Sequence, residues 1–419
     1  MKAWQAVVAI AAISVVLALQ ATPAASWLTT GTLSLASGMA ALSLMAWSAI
    51  LGGRWPLVES VVGGLDRVYD VHKWLAVWAL VFASVHLLFK AGNPLWETEA
   101  IVHLPPVWAR FVRQASFVAL MGIVILALNR NIRYNVWRWW HRLSGPLFLI
   151  VIAHWLSIKS PVRIDSPAGY WLAGISLLAV AAAAYKLLLY PFLARHAEYE
   201  LVRVERGPDA ALIELQPLRN GLDFKAGQFG FLRMKADGLR EPHPFTIAAA
   251  PAATGRISFV IRGLGDYTKR LVAEAEPGMH ADVYAPYGRF QRKSDCAREI
   301  WIGGGIGISP FLAWMRDDAA GGFEKVTLFY FYTPPRDFPN AAVLADMANQ
   351  IGFEFIPVAT GPSSSKFTRR FDEIVGSTDP ASLDIAVCGP QGLIDVVRRE
   401  AIRRGLPERC VRYELFRFR

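Results

Sequence analysis

Four histidines lie at the ends of two apolar runs, His72 with His86 and His141 with His154, and the pairs are spaced by 14 and 13 residues. In an α-helix with a rise of about 1.5 Å per residue, this spacing puts the two imidazoles about 20 Å apart and near one face. Ionisable side chains are costly in hydrocarbon and normally face a partner. Two matching pairs therefore favour two stacked metal centres, for which bis-histidine haem is the candidate.

The position of two of these histidines allows a second interpretation. His72 and His141 adjoin Lys73 and Arg142, and a histidine at the headgroup level of a membrane helix is commonly just an interfacial residue. The spacing found in both runs favours ligation by all four. No Cys-x-x-Cys-His motif occurs, so a haem here would be held by its ligands and by packing.

The apolar residues, which make up 54% of the 419-residue chain, crowd into its first 195 positions. Six runs there are long enough for a hydrocarbon core of about 30 Å. They are 4–19, 27–51, 72–89, 111–128, 139–158 and 170–192. The sequence therefore predicts a six-helix membrane domain.

Basic residues predict the orientation, because short loops rich in lysine and arginine face the cytoplasm. The loops after the second and fourth runs carry Arg54, Arg67, Lys73, Arg130, Arg133, Arg138 and Arg142. Everything after Arg195 is then cytoplasmic, and the protein is expected in the plasma (inner) membrane. One histidine pair would lie towards each side. The first run has an alternative interpretation as a cleaved signal peptide, whose loss leaves the other spans unchanged.

Gly145 and Pro146 lie between the two histidines of the second run. A proline removes a backbone hydrogen bond, and a glycine lets another group approach the backbone closely. The pair predicts an interruption of this helix. It would serve either the approach of a flat macrocycle or a simple packing kink.

From His196 the pattern changes to short alternating strands separated by Gly, Pro and Asp. The runs 199–207, 210–218, 227–235, 255–263 and 281–288 predict a small antiparallel barrel. An α/β pattern follows, with strand-like runs before a last helix. We therefore divide the chain into domains 1–195, 196–296 and 297–419. All three cysteines, Cys296, Cys388 and Cys410, lie in the cytoplasmic part, and their odd number argues against disulfides.

A glycine-rich stretch at 303–310 lies between a predicted strand and a helix. In this context a loop can bring backbone N–H groups and a helix N-terminus against a pyrophosphate. Glycine is needed because a side chain would block that approach. Many such turns are glycine-rich without binding anything. The prediction of a pyrophosphate site therefore depends on the position of the stretch between a strand and a helix.

Several motifs of the soluble half occur in one order. They are His243-Pro244-Phe245-Thr246, Ile261-Arg262, Gly265-Asp266-Tyr267-Thr268, Ala285-Pro286-Tyr287-Gly288, Gly303-Gly304-Gly305-Ile306-Gly307, Cys388-Gly389-Pro390 and Glu414-Leu415-Phe416. With the two histidine pairs, they resemble the ferric reductase and NADPH oxidase superfamily over nearly the whole chain. The resemblance implies a six-helix haem-binding bundle joined to a ferredoxin-reductase-like module, in which an antiparallel β-barrel binds FAD and an α/β domain binds the nucleotide.

The resemblance also implies a flavin site. The segment 243–246 would line the isoalloxazine, with the Thr246 hydroxyl near the reactive flavin nitrogen. Arg262 and Thr268, with Tyr267 in the same segment, would hold the FAD pyrophosphate. A guanidinium and a hydroxyl suit a diphosphate, although Arg262 could instead be an ordinary exposed strand residue.

The nicotinamide side is implied in the same way. Cys388, followed by Gly389-Pro390, would lie beside the nicotinamide, a place compatible with a buried small hydrophobe. Thr246, Cys388, Glu414 and Phe416 would form the catalytic group. Phe416 resembles the removable aromatic lid of such enzymes, but three residues follow it, so that Phe418 is the alternative.

The nucleotide preference is read after the second strand of the α/β domain. An acidic residue there recognises a 2′-hydroxyl, and an arginine recognises a 2′-phosphate. The segment 332–336 contains Thr333 and Arg336 and no acid before Asp337. NADPH is therefore favoured over NADH.

The expected function is transmembrane electron transfer from cytoplasmic NADPH through FAD and two haems b to an acceptor outside. Dioxygen is the first acceptor and a ferric chelate the second. Lys90 and Arg163 stand where the oxidases have a histidine and an arginine that resemble an oxygen-holding site. A haem subunit that feeds a periplasmic partner protein through the loop 91–110, and a transporter or anchor, are the alternatives. The lipid bilayer is the expected environment, and no nucleic-acid partner is expected.

Overall fold

The structure is a computed structural model that describes residues 3–129, 131–132, 134–317, 321–334, 336–359 and 361–414. The chain divides after Ala194 into two compact units. The first is helical, and the second contains two β-sheets.

The helical unit is built from long apolar helices. Its elements are α1 Ala3–Gln20, α2 Thr30–Gly52, α3 Pro56–Val62, α4 Leu65–Leu88, α5 Pro106–Leu128, α6 Tyr134–His141, α7 Ser144–Ser157 and α8 Pro167–Ala184. A short π-helical segment, Tyr185–Leu189, continues α8 into α9 Tyr190–Leu193. Within the described residues, α1, α2, α4, α5 and the helix from Pro167 to Leu193 are long and apolar enough to cross a membrane. Five predicted spans are therefore continuous helices.

The sixth predicted span, 139–158, is two helices, α6 and α7. The break falls at Arg142 and Leu143, before the Gly145-Pro146 pair. Pro146 lies in the first turn of α7, where its missing N–H costs nothing, so it starts a helix and does not kink one. Gly145 serves packing, because a Cβ there would lie 3.1 Å from Leu187 Cδ1.

Helix α2 is the centre of this unit, and it packs against α1, α4 and α8. Nearly all of its buried positions carry small or aliphatic side chains, including four serines. The loop after α4 is also fixed to the unit. Trp96 donates its indole N–H to Ser26 Oγ at 2.9 Å, and Glu99 pairs with Ser160 in an antiparallel bridge.

The second unit begins with an antiparallel six-stranded sheet in the order β4-β3-β6-β1-β2-β5. Its strands are β1 His196–Arg206, β2 Ala210–Pro217, β3 Phe229–Met234, β4 His243–Thr246, β5 Ile257–Arg262 and β6 His280–Tyr287, with α10 Asp266–Glu274 between β5 and β6. The five predicted strands are all present. The additional strand, β4, is the short His-Pro-Phe-Thr segment.

A parallel five-stranded sheet follows in the order β11-β10-β7-β8-β9. Its strands are β7 Arg298–Gly304, β8 Val326–Phe331, β9 Glu354–Val358, β10 Leu383–Cys388 and β11 Val411–Glu414, and its helices are α11 Ser309–Met315, α12 Ala341–Ile351, α13 Ser365–Ser377 and α14 Gln391–Arg403. One face packs on α11 and α12 around Trp301 and Trp314, and the other packs on α13 and α14.

A buried ion pair fixes the start of this sheet. The guanidinium of Arg292 donates to both carboxylate oxygens of Glu299 at 2.8 and 2.9 Å, and both side chains are almost fully buried. Trp301 donates to the same carboxylate, and Arg292 also binds the carbonyls of Gly321 and Gly322. Removing one member of such a pair leaves an uncompensated buried charge, which costs about 3 to 5 kcal/mol.

We therefore predict that Glu299→Ala lowers the free energy of unfolding of the second unit by about 3 to 5 kcal/mol. Thermal unfolding of the detergent-purified protein, followed by tryptophan fluorescence, measures the change. Glu324→Ala, which removes an exposed carboxylate nearby, is the control and should change stability by less than about 0.5 kcal/mol. Equal effects of the two variants would contradict the prediction.

Candidate functional site

The four histidines of the helical unit meet in two pairs. The ring centroids of His72 and His141 are 5.9 Å apart, with an interplanar angle of 83°. Those of His86 and His154 are 6.3 Å apart, at 65°. Two imidazoles that ligate one metal ion from opposite sides, with metal–nitrogen bonds of about 2 Å, have ring centroids roughly 6 Å apart. Each pair is therefore spaced for an ion between its rings.

The two histidines of α4 are held by serines of α2. Nδ1 of His72 lies 2.8 Å from the carbonyl oxygen of Ser48, and the Ser48 hydroxyl donates to the His72 carbonyl at 3.2 Å. Ser34 and His86 repeat this arrangement with distances of 2.8 and 3.0 Å. Because Nδ1 donates to a carbonyl, Nε2 is the nitrogen left for a metal.

The histidines of α6 and α7 are held differently. His141 stacks on Trp137 with centroids 5.1 Å apart and planes at 11°. Nδ1 of His141 and Nδ1 of His154 are buried and have no hydrogen-bond partner within the described part of the chain. An apolar cavity of about 150 Å³ lies against His141, and its wall on α5 includes Gly122, where a Cβ would meet open space.

These observations agree with haem as the bound group. Nitrogen donors stand in opposed pairs at the right separation, and an apolar space adjoins one pair. A macrocycle needs such an apolar space beside its axial ligands. His72, His86, His141 and His154 are the residues that would hold two haems.

The two cationic candidates for the acceptor side are both exposed. Arg163 forms a bidentate pair with Asp165, with distances of 3.0 and 2.9 Å, and both side chains are more than half exposed. Its guanidinium is therefore committed to a surface carboxylate. Lys90 follows the end of α4.

In the second unit, three of the four expected catalytic residues converge. The Thr246 hydroxyl donates to Glu414 at 3.5 Å, and Cys388 is the register partner of Glu414 across β10 and β11. All three residues are buried. Burial, reinforced by the Glu414 carboxylate, holds the pKa of the Cys388 thiol well above its usual value, so the thiol is neutral at physiological pH. The fourth residue, Phe416, and its alternative Phe418 lie outside the described residues.

The glycine loop packs directly on the end of β10. A Cβ at Gly307 would lie 2.2 Å from the carbonyl oxygen of Cys388, and one at Gly304 would lie 2.9 Å from Pro390 Cδ. Gly303 is the register partner of Cys388. Packing thus requires glycine at 304 and 307, whether or not a nucleotide binds. Gly305, at a φ of +56°, is the member that faces a charged group, because a Cβ there would lie 3.2 Å from Arg262 Nη1.

Arg262 joins the two sheets of this unit. Its Nε donates to Asp209 at 3.2 Å, and its Nη2 donates to the Arg336 carbonyl at 3.3 Å. The Arg336 side chain is 66% exposed and reaches the same Asp209 carboxylate only at 4.0 Å. The Arg336 amide donates to Thr333, which closes a turn after β8. Two arginines therefore gather around one acidic residue, Asp209, that the sequence analysis did not identify.

The remaining flavin-site motifs lie around β4 and α10. His243 stacks on Tyr267 with centroids 3.8 Å apart, and the Tyr267 hydroxyl donates to the Leu239 carbonyl. Pro244 and Phe245 pair with β3 and are half-buried.

The Thr268 hydroxyl accepts hydrogen bonds from the amides of Leu264 and Gly265, so it closes the N-terminal turn of α10. Ile306, half-buried, packs against the core below β7.

Comparison with known proteins matches both units. A family model described as "Ferric reductase like transmembrane component" matches residues 37–152, and one described as "FAD-binding domain" matches residues 201–298. Dual oxidase 2 of Sus scrofa is 25% identical over 68% of this chain and 20% of its own length. The probable cell surface ferric reductase kap2 of Aspergillus oryzae is 22% identical over 66% of this chain and 39% of its own length. The chain thus spans well under half of these relatives.

Among solved structures, the flavohemoglobin of Malassezia yamatoensis with bound FAD and heme is similar at a TM-score of 0.51, with 18% identity over 96% of this chain and 99% of that one. This likeness concerns the fold alone. The expected fold class, an apolar helical part joined to a ferredoxin-reductase-like module with an antiparallel barrel, is confirmed. On the evidence of both family models and these relatives, the chain belongs to the ferric reductase and NADPH oxidase superfamily.

Proposed function

We propose that this protein is a transmembrane oxidoreductase that oxidises cytoplasmic NADPH and delivers electrons, through FAD and two haems b, to an acceptor on the outer side of the membrane. The observation that carries the proposal is the presence, in one chain, of two opposed histidine pairs and of a buried Thr246–Cys388–Glu414 group beside a glycine loop. In this proposal the second unit is the source of electrons, and the helical unit is their route across the membrane.

The helical unit supports the route. Haem, when bound, supplies a one-electron carrier whose potential the protein sets through its axial ligands. The 14-residue interval between His72 and His86 on α4 separates the two pairs along the helix by about 20 Å. This distance is a large part of a hydrocarbon core of about 30 Å. One pair therefore serves each side of the bilayer.

The second unit supports the source. FAD, when bound, converts a hydride into single electrons, a conversion that nicotinamide and haem cannot make directly. The buried Cys388 thiol and Thr246 hydroxyl are both uncharged at physiological pH, and Glu414 accepts a hydrogen bond from the hydroxyl. We propose that these groups exclude water and orient the nicotinamide against the flavin. Arg262 and Gly305 offer a guanidinium and an open glycine backbone to the FAD pyrophosphate.

The acceptor is proposed to be dioxygen, with a ferric chelate as the second candidate. The two histidines of each pair would together hold a haem and leave its iron no free ligand position, so the acceptor would be reduced without binding to the iron. The relatives carry names of both kinds, dual oxidase and ferric reductase. Purified protein supplied with NADPH and either dioxygen or a ferric chelate tests the choice. Superoxide formation that competes effectively with ferric reduction supports dioxygen, and ferric reduction that is unaffected by dioxygen contradicts it.

Removing an α4 or α7 ligand provides the first test of the proposal. His86→Ala or His154→Ala should halve the haem content of the purified protein and abolish reduction of the outer acceptor. NADPH oxidation with an artificial flavin acceptor should stay near its original rate, because the second unit has its own core. Reduced-minus-oxidised spectra and a steady-state assay give both measurements.

The control for this experiment is His103→Ala, which removes an exposed histidine of the loop after α4. It should change neither haem content nor rate. An unmodified protein without low-spin b-type bands would refute the proposed route itself.

A second prediction concerns the nucleotide. Arg336→Ala should raise the KM for NADPH about tenfold or more and leave the KM for NADH nearly unchanged, since only NADPH presents a 2′-phosphate to the exposed guanidinium. Arg399→Ala, an exposed arginine on α14, is the matched control. Equal effects on both nucleotides would show that Arg336 does not discriminate between them.

A further inference from the structure

Helix α2 carries one short element twice, a serine followed four residues later by a glycine. The two copies are Ser34 with Gly38 and Ser48 with Gly52, and they are 14 residues apart. The histidines of α4 are also 14 residues apart. Ser48 pairs with His72 and Ser34 pairs with His86, so the later serine meets the earlier histidine. This order shows that α2 and α4 run antiparallel with their two repeats in register.

Each element makes the same two hydrogen bonds to its histidine. The ring Nδ1–H donates to the serine carbonyl at 2.8 Å in both copies, and the serine hydroxyl donates back to the histidine carbonyl. The Ser34 hydroxyl also lies 2.7 Å from the Phe89 carbonyl. The ring is thereby fixed as the tautomer that has a free Nε2, and its rotation about the Cβ–Cγ bond is restricted.

The glycine of each element lies against the same ring, but the two copies differ in how closely. A Cβ at Gly38 would lie 2.8 Å from Nδ1 and 3.0 Å from Cε1 of His86, closer than atoms can approach without movement. A Cβ at Gly52 would lie 3.7 Å from Cε1 of His72, which is ordinary van der Waals contact. Gly38 is thus essential for the position of its histidine, and Gly52 is not.

The opposed rings lack this support. Nδ1 of His141 and Nδ1 of His154 have no hydrogen-bond partner within the described part of the chain. A hydrogen bond from Nδ1 raises the basicity of an imidazole ligand. The two rings of a pair therefore differ in their strength as donors.

We propose that Ser34, Gly38 and Ser48 are positioning residues, which hold the α4 histidines as strongly donating ligands opposite the weaker donors on α6 and α7. This inference rests on the proposed function, because it concerns the ligands of the proposed haems. The stronger donor favours ferric over ferrous iron, so these elements lower the midpoint potentials of both haems. The element at His86 is the more tightly fitted of the two.

The glycines provide a matched pair of variants for the full-length protein in detergent. In Gly38→Ala the new methyl group displaces the His86 ring and weakens its bond to Ser34. One haem should then show a midpoint potential raised by the equivalent of an approximately tenfold change in its equilibrium constant, about 59 mV for a one-electron couple, together with a changed low-spin EPR signal. Gly52→Ala should leave both potentials and both signals unchanged. His86→Ala identifies the haem concerned, because it removes that signal.

Ser34→Ala tests the same element without a steric change. Loss of its hydroxyl should shift the potential of the same haem upwards by less than Gly38→Ala does, since the backbone carbonyl still accepts from Nδ1. Ser37→Ala, a buried serine of α2 outside these contacts, should shift neither potential. If Gly38→Ala prevents one haem from binding while Gly52→Ala retains two, the positioning role is also supported.

Two outcomes would overturn the inference. Equal responses to Gly38→Ala and Gly52→Ala would show that the elements serve only helix packing, and potentials unchanged in Gly38→Ala and Ser34→Ala would show that the hydrogen bonds do not tune the ligand. Failure of the proposed function looks different, because the unmodified protein would then show no low-spin haem spectrum in which these shifts could be measured.

Discussion

The reciprocal hydrogen bonding between α2 and α4 is the constraint on which the helical unit depends. A histidine in an apolar environment needs a partner for each ring nitrogen, since an unsatisfied buried polar group costs about 1 to 3 kcal/mol. Helix α2 provides that partner from its own backbone carbonyls, which a close helix approach brings within 2.8 Å of the rings. Such an approach requires small residues, and this requirement accounts for the serines and glycines of α2 at positions where a membrane helix would otherwise carry leucine.

The sequence predicted the histidine pairs because ionisable residues are rare in apolar runs and their spacing could be read directly. It predicted the barrel strands because period-2 alternation survives in each of them. It did not reveal the serines of α2, since a serine in an apolar helix has the same appearance whether it packs, caps or binds a side chain. The break between α6 and α7 lies before the Gly145-Pro146 pair at which the sequence predicted it. The prediction was misplaced because a proline in a first turn starts a helix as readily as a proline elsewhere ends one. Strands β4 and β11, each of four residues, are too short for a periodic signal.

The glycine loop shows how one pattern can have two physical causes. Gly304 and Gly307 must be glycine because the end of β10 fills the space that a side chain would occupy. Packing is sufficient to explain Gly304 and Gly307, and the role of the loop in holding a pyrophosphate stays a prediction, for which Gly305 is the member that faces Arg262. The packing requirement has a functional consequence of its own. It brings the loop against Cys388, so a nucleotide held at the loop, as proposed, would lie close to the buried thiol and Glu414.

The electrostatics of that buried group follow from its burial. A thiolate beside the Glu414 carboxylate would place two negative charges in a site that water does not reach, and the raised pKa of Cys388 expresses this cost. With the thiol neutral, the Glu414 side chain accepts a hydrogen bond from the Thr246 hydroxyl. In the proposed site, where the nicotinamide lies beside this group, a single buried carboxylate would stabilise the positive charge that hydride transfer leaves on the nicotinamide ring. In the same proposed site, a second negative charge at Cys388 would strengthen the binding of the oxidised nucleotide and slow its release, so a neutral thiol suits repeated turnover.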